Sequence, residues 1–125
     1  MSGILAWTRR KPDLSGFLEQ GLYTVFLAMS SEFRQVAGSV ALYESRSLYA
    51  DGCFGTIPEL YVDPAHRSKG VGEKLLAAAK AFGKENGWAR LEATTPPLPQ
   101  FDKALRFYQS QGFEITGGRK MKVLL

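Results

Sequence analysis

Between Gly55 and Leu76 the spacing of apolar residues changes from two to about 3.6, and that change limits the fold more than any other feature. GTIPELYV, residues 55–62, reads as a strand, with Pro58 hinting at a bulge in its middle and Asp63 with Pro64 closing it. A loop with two glycines follows. From Val71 onward, Val71, Leu75, Ala79 and Phe82 fall on one helical face, with Lys74, Lys80, Lys84 and Glu85 away from it. Asn86 and Gly87 are a common pair at a helix C-terminus. A strand that runs through glycines into an amphipathic helix calls for a sheet with helices laid on it.

The rest of the chain fills in that sheet. TVFLAM (24–29) and VAGSVALY (36–43), joined by the polar SSEFRQ, predict an antiparallel hairpin. ARLEAT (89–94) is a short strand after the helix, and a right-handed crossover makes it parallel to residues 55–62. The proline-rich TTPPLPQ excludes both helix and central strand. Phe101, Ala104, Leu105 and Tyr108 mark a second amphipathic helix ending at Gly112, and residues 113–116 and 120–125 predict two last strands around Gly117 and Gly118. The expectation is one mixed α/β domain over residues 1–125, with a central mixed sheet of about six strands and helices packed on it. The first 23 residues form an abbreviated N-terminal part, in which Pro12 to Gln20 can be a short helix.

Composition removes several classes of function. A chain of 125 residues with 45% apolar content can bury a core without covalent staples. No apolar run approaches the length of a membrane span, and Ile4 to Trp7 is too short for a secretory h-region, so a soluble cytoplasmic protein is expected. Cys53 is the only cysteine and His66 the only histidine, which makes a metal site improbable and an internal disulfide impossible. They read as a partly buried small residue and a loop residue. The net charge of +4 suits an anionic partner, but the basic residues are dispersed among acidic ones, which does not indicate nucleic acid.

LYVDPAHRSKGVGEKLL, residues 60–76, is the informative stretch. A strand-to-helix loop of this kind aims successive main-chain N–H groups at one place, with the positive end of the helix dipole behind them, and an anion fits there. Gly70 and Gly72 remove the Cβ atoms that would block its approach, while Arg67 and Lys69 add charge. Nothing matches the P-loop GxxxxGK[ST], and the dinucleotide GxGxxG started at Gly70 meets Leu75 where a third glycine is needed.

What remains, RSKGVG at 67–72, resembles the acetyl-CoA signature (Q/R)xxGx(G/A) of the GNAT N-acetyltransferase superfamily, in the strand-to-helix context that signature requires. ALRFYQSQGF at 104–113 is similar to the family's AxxFYxxxGF motif, and the hairpin resembles its central strands. The resemblance covers roughly residues 24 to 125. It implies that strands 55–62 and 89–94 splay apart around a pantetheine arm, paired by the main chain of Leu60 and Val62. The diphosphate would then lie on Arg67, Ser68, Lys69, Gly70, Val71 and Gly72. A main-chain N–H near Leu60 or Tyr61 would polarise the thioester carbonyl. Tyr108 matches the family's general acid, and Glu59 or Glu92 is placed as its bases often are, with a water chain as the other route.

The implied activity is acetyl transfer from acetyl-CoA to a primary amine by direct attack on the thioester, without a metal. A catalytically weak acyl-CoA-binding module is the rival. Two positions depart from the pattern: Phe101 stands where the family commonly has Asn, and too few residues precede the hairpin for the usual opening strand and two helices. An uncovered sheet edge there predicts a homodimer.

Overall fold

The computed structural model of the chain describes residues 4–9, 23–30, 35–47, 52–95, 98–117 and 121–125. It divides into two compact units, Met1–Thr94 and Thr95–Leu125.

The first unit is a five-stranded sheet with one long helix. In chain order the strands are β1 (Ile4–Arg9), β2 (Tyr23–Ser30), β3 (Val36–Ser47), β4 (Gly52–Val62) and β5 (Leu91–Ala93), and they lie in that same order across the sheet. β1 to β4 are antiparallel neighbours, whereas β5 joins β4 in parallel through the crossover helix α1 (Val71–Glu85). Alternation of side chains sorts the sheet into two faces. Thr24, Phe26 and Ala28 of β2 pair with Leu42, Val40 and Gly38 of β3. The Phe26 ring meets Phe82 of α1 edge-on at 5.7 Å, so this is the helix face. Val71, Leu75, Leu76 and Ala79 of α1 are buried against it with Val40, Leu42 and Ile57. Burying each of the larger side chains is worth about 2 kcal/mol, and this seam holds the unit together.

Gly38 shows how closely the layers meet. A Cβ there would lie 2.5 Å from the Tyr61 carbonyl and 3.1 Å from both Leu75 and Val71. The helix ends as its sequence requires, with Asn86 as C-cap and Gly87 at φ 72°.

Four expectations change. Ile4–Arg9 is a strand, where the sequence read only a short apolar stretch, and it pairs along β2. The β2 edge is therefore covered, and β1 becomes the edge strand on that side. The hairpin and the 55–62 strand are longer than predicted, and β5 is shorter than residues 89–94. Of the six strands expected, four are present among the described residues, and Ile4–Arg9 makes the fifth of the sheet; residues 113–117 and 121–125 are irregular. Strand structure exists by pairing and not by propensity, and Ile115, Met121, Val123, Leu124 and Leu125 have their side chains exposed. The short helix expected at Pro12 to Gln20 lies outside the described residues.

The second unit contains a short 3₁₀ turn at Pro99–Phe101, then α2 (Asp102–Ser110), which gives way at Gln111 and Gly112, the latter at φ 92°.

Candidate functional site

β4 leaves the sheet at Asp63 and turns through a 3₁₀ segment, Pro64–His66, into the glycine loop. The Arg67 N–H bonds back to the Pro64 carbonyl at 3.4 Å, and the Arg67 Nε donates to the Val62 carbonyl at 3.3 Å. Beyond it two residues within three take left-handed backbone, Ser68 at φ 63° and Gly70 at φ 79°. Gly70 is the N-cap of α1 and supplies no side-chain cap. The first N–H to bond back into the helix is that of Lys74, on the Gly70 carbonyl at 3.1 Å. Among the described residues, the N–H groups of Ser68 to Glu73 thus have no acceptor, at the positive end of a fifteen-residue helix. Arg67, Ser68 and Lys69 are exposed beside them, and no atom approaches within 4 Å of a Cβ built on Gly70. A ligand with several anionic oxygens fits such a place.

Next to this loop one edge of β4 is open. β5 pairs only with Gly55, Thr56 and Ile57, after which, among the described residues, nothing pairs with β4 on that side. The cause is a bulge. Ala41 pairs with Glu59 but Tyr43 with Thr56, so β4 carries one residue more than β3, at Ile57 and Pro58. Pro58 has no N–H to continue a ladder. Past the bulge the Asp63 N–H points to β3, on the Ala37 carbonyl at 2.8 Å. By alternation the main-chain groups of Tyr61 and Glu59 also face β3, and those of Leu60 and Val62 face the open edge. The closed end is fixed just before β5, where Arg90 lies 4.0 Å over the Phe54 ring and the Gly55 N–H bonds the Arg90 carbonyl at 3.0 Å.

The bulge also decides where the carboxylates point. Glu59 pairs with Ala41 and Glu92 with Thr56, which in turn pairs with Tyr43, so both stand on the face away from α1. Glu92 is engaged, its Oε2 accepting from Arg90 Nε at 2.7 Å. Glu59 is exposed and has no such partner among the described residues. Tyr61 shares their face and is 44% exposed.

Tyr108 belongs to the C-terminal unit and is placed here within that unit alone. Its ring meets Phe113 at 5.1 Å and Phe107 at 5.8 Å, and its carbonyl accepts the Phe113 N–H at 3.0 Å. Burial among these rings pushes the phenol pKa above its ordinary value. Phe101, at the position of the expected asparagine, is the N-cap of α2.

The Acetyltransferase (GNAT) domain family matches residues 21–115. The chain belongs to the GNAT acetyltransferase family. GNAT enzymes use acetyl-CoA and amine acceptors. No curated protein matches the chain significantly. Several solved structures share the fold. An aminoglycoside acetyltransferase from an uncultured soil metagenomic sample, in complex with sisomicin, has a TM-score of 0.77 at 20% identity over 98% of this chain and 97% of that one. The aminoglycoside N-acetyltransferase AAC(6')-Iy in complex with CoA gives a TM-score of 0.79 at 18% identity, over 99% and 96%. A probable acetyltransferase gives 0.74 at 25% identity, over 90% and 73%.

Within this GNAT fold the first unit brings together Glu59 to Val62, Arg67 to Gly72 and Glu92, on one bulged strand, the loop after it and the strand beside it. Among the described residues no three His, Cys, Asp or Glu side chains group as a metal site, and no helix is long and apolar enough to cross a membrane. Sequence reading missed the hydrogen bonds of Asp63 and His66, described below. An Asp directly before Pro is a recognisable turn cap and was the available signal.

Proposed function

We propose that the protein transfers an acetyl group from acetyl-CoA to a primary amine by direct attack of the amine on the thioester. The observation that carries this reading is the run of N–H groups from Ser68 to Glu73, unpaired among the described residues, beside the open edge of β4. In this reading the main-chain amides of Ser68, Lys69, Gly70, Val71 and Gly72 hold the diphosphate, while the Arg67 N–H stays on the Pro64 carbonyl. The side chains of Arg67 and Lys69 offset its charge. Leu60 and Val62 pair with the pantetheine arm as an added strand would, and their outward N–H and C=O groups support this. For Val62 the Arg67 Nε already on its carbonyl must move, and an incoming diphosphate gives it a better partner. The N–H of Leu60 or Tyr61 near the reacting carbonyl polarises it, and of the two only Leu60's faces the open edge.

Glu59 is the better placed base. It accepts the proton of the attacking amine, directly or through water, and among the described residues its carboxylate is not tied to a cation as that of Glu92 is. The new C–N bond forms as the C–S bond breaks, and Tyr108 supplies a proton to the departing thiolate. A phenol held protonated by burial suits that role. On the acceptor side, Glu59, Tyr61 and Glu92 share one face, which suits a cationic amine. The aminoglycoside acetyltransferases of the same fold make such polyamines the first acceptors to try. A cytoplasmic setting and a homodimer belong to the same reading, the second supported by the exposed apolar side chains of Met121, Val123, Leu124 and Leu125.

The test measures thiol release from acetyl-CoA with a panel of amines that includes aminoglycosides, for the wild type and Tyr108→Phe. Amine-dependent release that falls at least tenfold in the variant supports the enzyme. Tight acetyl-CoA binding without release for any amine leaves the chain a binding module.

A further inference from the structure

The corner between β4 and the glycine loop turns on one carboxylate. Asp63 Oδ2 accepts the Ala65 N–H at 3.0 Å and faces His66 Nδ1 at 3.1 Å. A carboxylate only accepts, so the hydrogen lies on Nδ1 and the imidazole donates. The main chain of Asp63 is committed too. Its N–H donates to the Ala37 carbonyl of β3 and its carbonyl accepts the His66 N–H, both at 2.8 Å. His66 is held by ring and backbone alike, with 13% of its side chain exposed. Neither residue has a part in the chemistry above, yet Arg67 follows His66 directly.

We infer that Asp63 and His66 are positioning residues for the diphosphate-binding segment. They fix the direction in which the chain leaves the sheet, so that the amides of residues 68 to 72 converge before a ligand arrives. The inference rests on the reading of those residues as the diphosphate cradle. A cradle made of main-chain groups has no long side chain to swing after its ligand, and its affinity falls by whatever fraction of the time the amides point elsewhere. Ser68 in left-handed backbone sharpens the need, because a non-glycine residue holds that conformation only where its surroundings impose it. Asp63 connects these surroundings to β3 through Ala37.

A cap that merely stabilises the fold would affect every ligand alike. The discriminating pair is acetyl-CoA and S-acetyl-pantetheine, which shares the thioester and the arm and lacks the diphosphate. Binding is measured by calorimetry below the melting midpoint of every variant, which is recorded alongside. Asp63→Ala is expected to weaken acetyl-CoA by about fivefold, the size of a lost cap, and to leave S-acetyl-pantetheine within about twofold. Asp63→Asn, whose amide oxygen still accepts both hydrogens, restores acetyl-CoA affinity. His66→Phe, which keeps the Asp63–Ala65 bond, gives a smaller loss in the same direction and serves if Asp63→Ala does not fold. Equal weakening of both donors, or unchanged acetyl-CoA affinity in both Asp63→Ala and His66→Phe, overturns the inference. If the wild type itself binds acetyl-CoA no more tightly than S-acetyl-pantetheine, the cradle reading fails first and the positioning role with it.

Discussion

Ile57 and Glu59 stand two residues apart on β4 and point to opposite faces of the sheet. Ile57 is 2% exposed under α1, while Glu59 pairs with Ala41 on the other side. Regular alternation would send both the same way, and the extra residue at Pro58 separates them. The bulge also ends the pairing with β5. Deleting Pro58 therefore restores a regular strand, keeps Glu59 on its face and straightens the edge beside which Leu60 and Val62 lie. The deletion variant is expected to melt within a few degrees of the wild type while acetyl-CoA binding weakens by at least about tenfold, a loss of about 1.4 kcal/mol. Unchanged affinity in a folded deletion variant would remove the open edge from the binding site.

Glu59 and Glu92 share a face but differ in company. The Arg90 guanidinium lies 2.7 Å from Glu92 and occupies the Oε2 that would take up a proton. Glu59 has no such partner among the described residues. Glu59→Gln is expected to lower kcat by about 100-fold with KM for acetyl-CoA little changed, the usual size of a general-base contribution. Glu92→Gln should cost less than tenfold. If steady-state kinetics show the opposite order, the roles exchange; if both variants keep full kcat, water alone removes the proton.

Two glycines in the first unit are required for different reasons. A Cβ on Gly55 would clash with the Trp88 ring and lie 2.7 Å from Leu91, with no unusual backbone angle involved. That ring is held by Phe82 at 5.4 Å and by its Nε1–H on Glu44 Oε1 at 2.8 Å, so it has little room to yield. Gly70 has the reverse problem, open space around it and φ 79°. Gly55→Ala is expected to cost about 3 kcal/mol in urea unfolding, near the upper range for overpacking. Gly70→Ala should cost about 1 kcal/mol, from left-handed backbone alone, and in addition weaken acetyl-CoA. Equal stability losses in the two variants would contradict this division.

The long helix and the loop before it were legible in the sequence because each rests on local signals: the period near 3.6 from Val71 to Phe82, and glycines at 70 and 72. The hairpin and the bulge at Pro58 were legible for the same reason. The first strand was not, since ILAWTR carries no alternation of apolar and polar residues, and only pairing with β2 makes it a strand. The last two predicted strands failed in the opposite sense. MKVLL has the composition of a strand, but among the described residues no ladder reaches it. In the site, the residue types were readable but their sorting was not. The freedom of Glu59, the pairing of Glu92 with Arg90 and the bonds of Asp63 depend on register and on distances that spacing alone does not reveal.

The Tyr108 phenol provides a test that depends on pH. Burial among Phe107 and Phe113 disfavours the phenolate, so in the folded protein the proton is held to a higher pH than the ordinary tyrosine value of about 10. The sign for stability follows by linkage. The folded state binds this proton more tightly than the unfolded one, so the contribution is complete below about pH 10 and is lost as pH rises through the raised value. As a general acid, Tyr108 keeps kcat level through neutral pH and gives an alkaline limb above about pH 10, provided the fold survives there. Tyr108→Phe is expected to lower kcat by about 100-fold, to abolish that limb and to leave acetyl-CoA affinity near the wild-type value. Rates measured between pH 6 and the onset of alkaline unfolding, with circular dichroism marking that onset, separate the two effects. An alkaline limb that persists in the phenylalanine variant would assign the proton to another group.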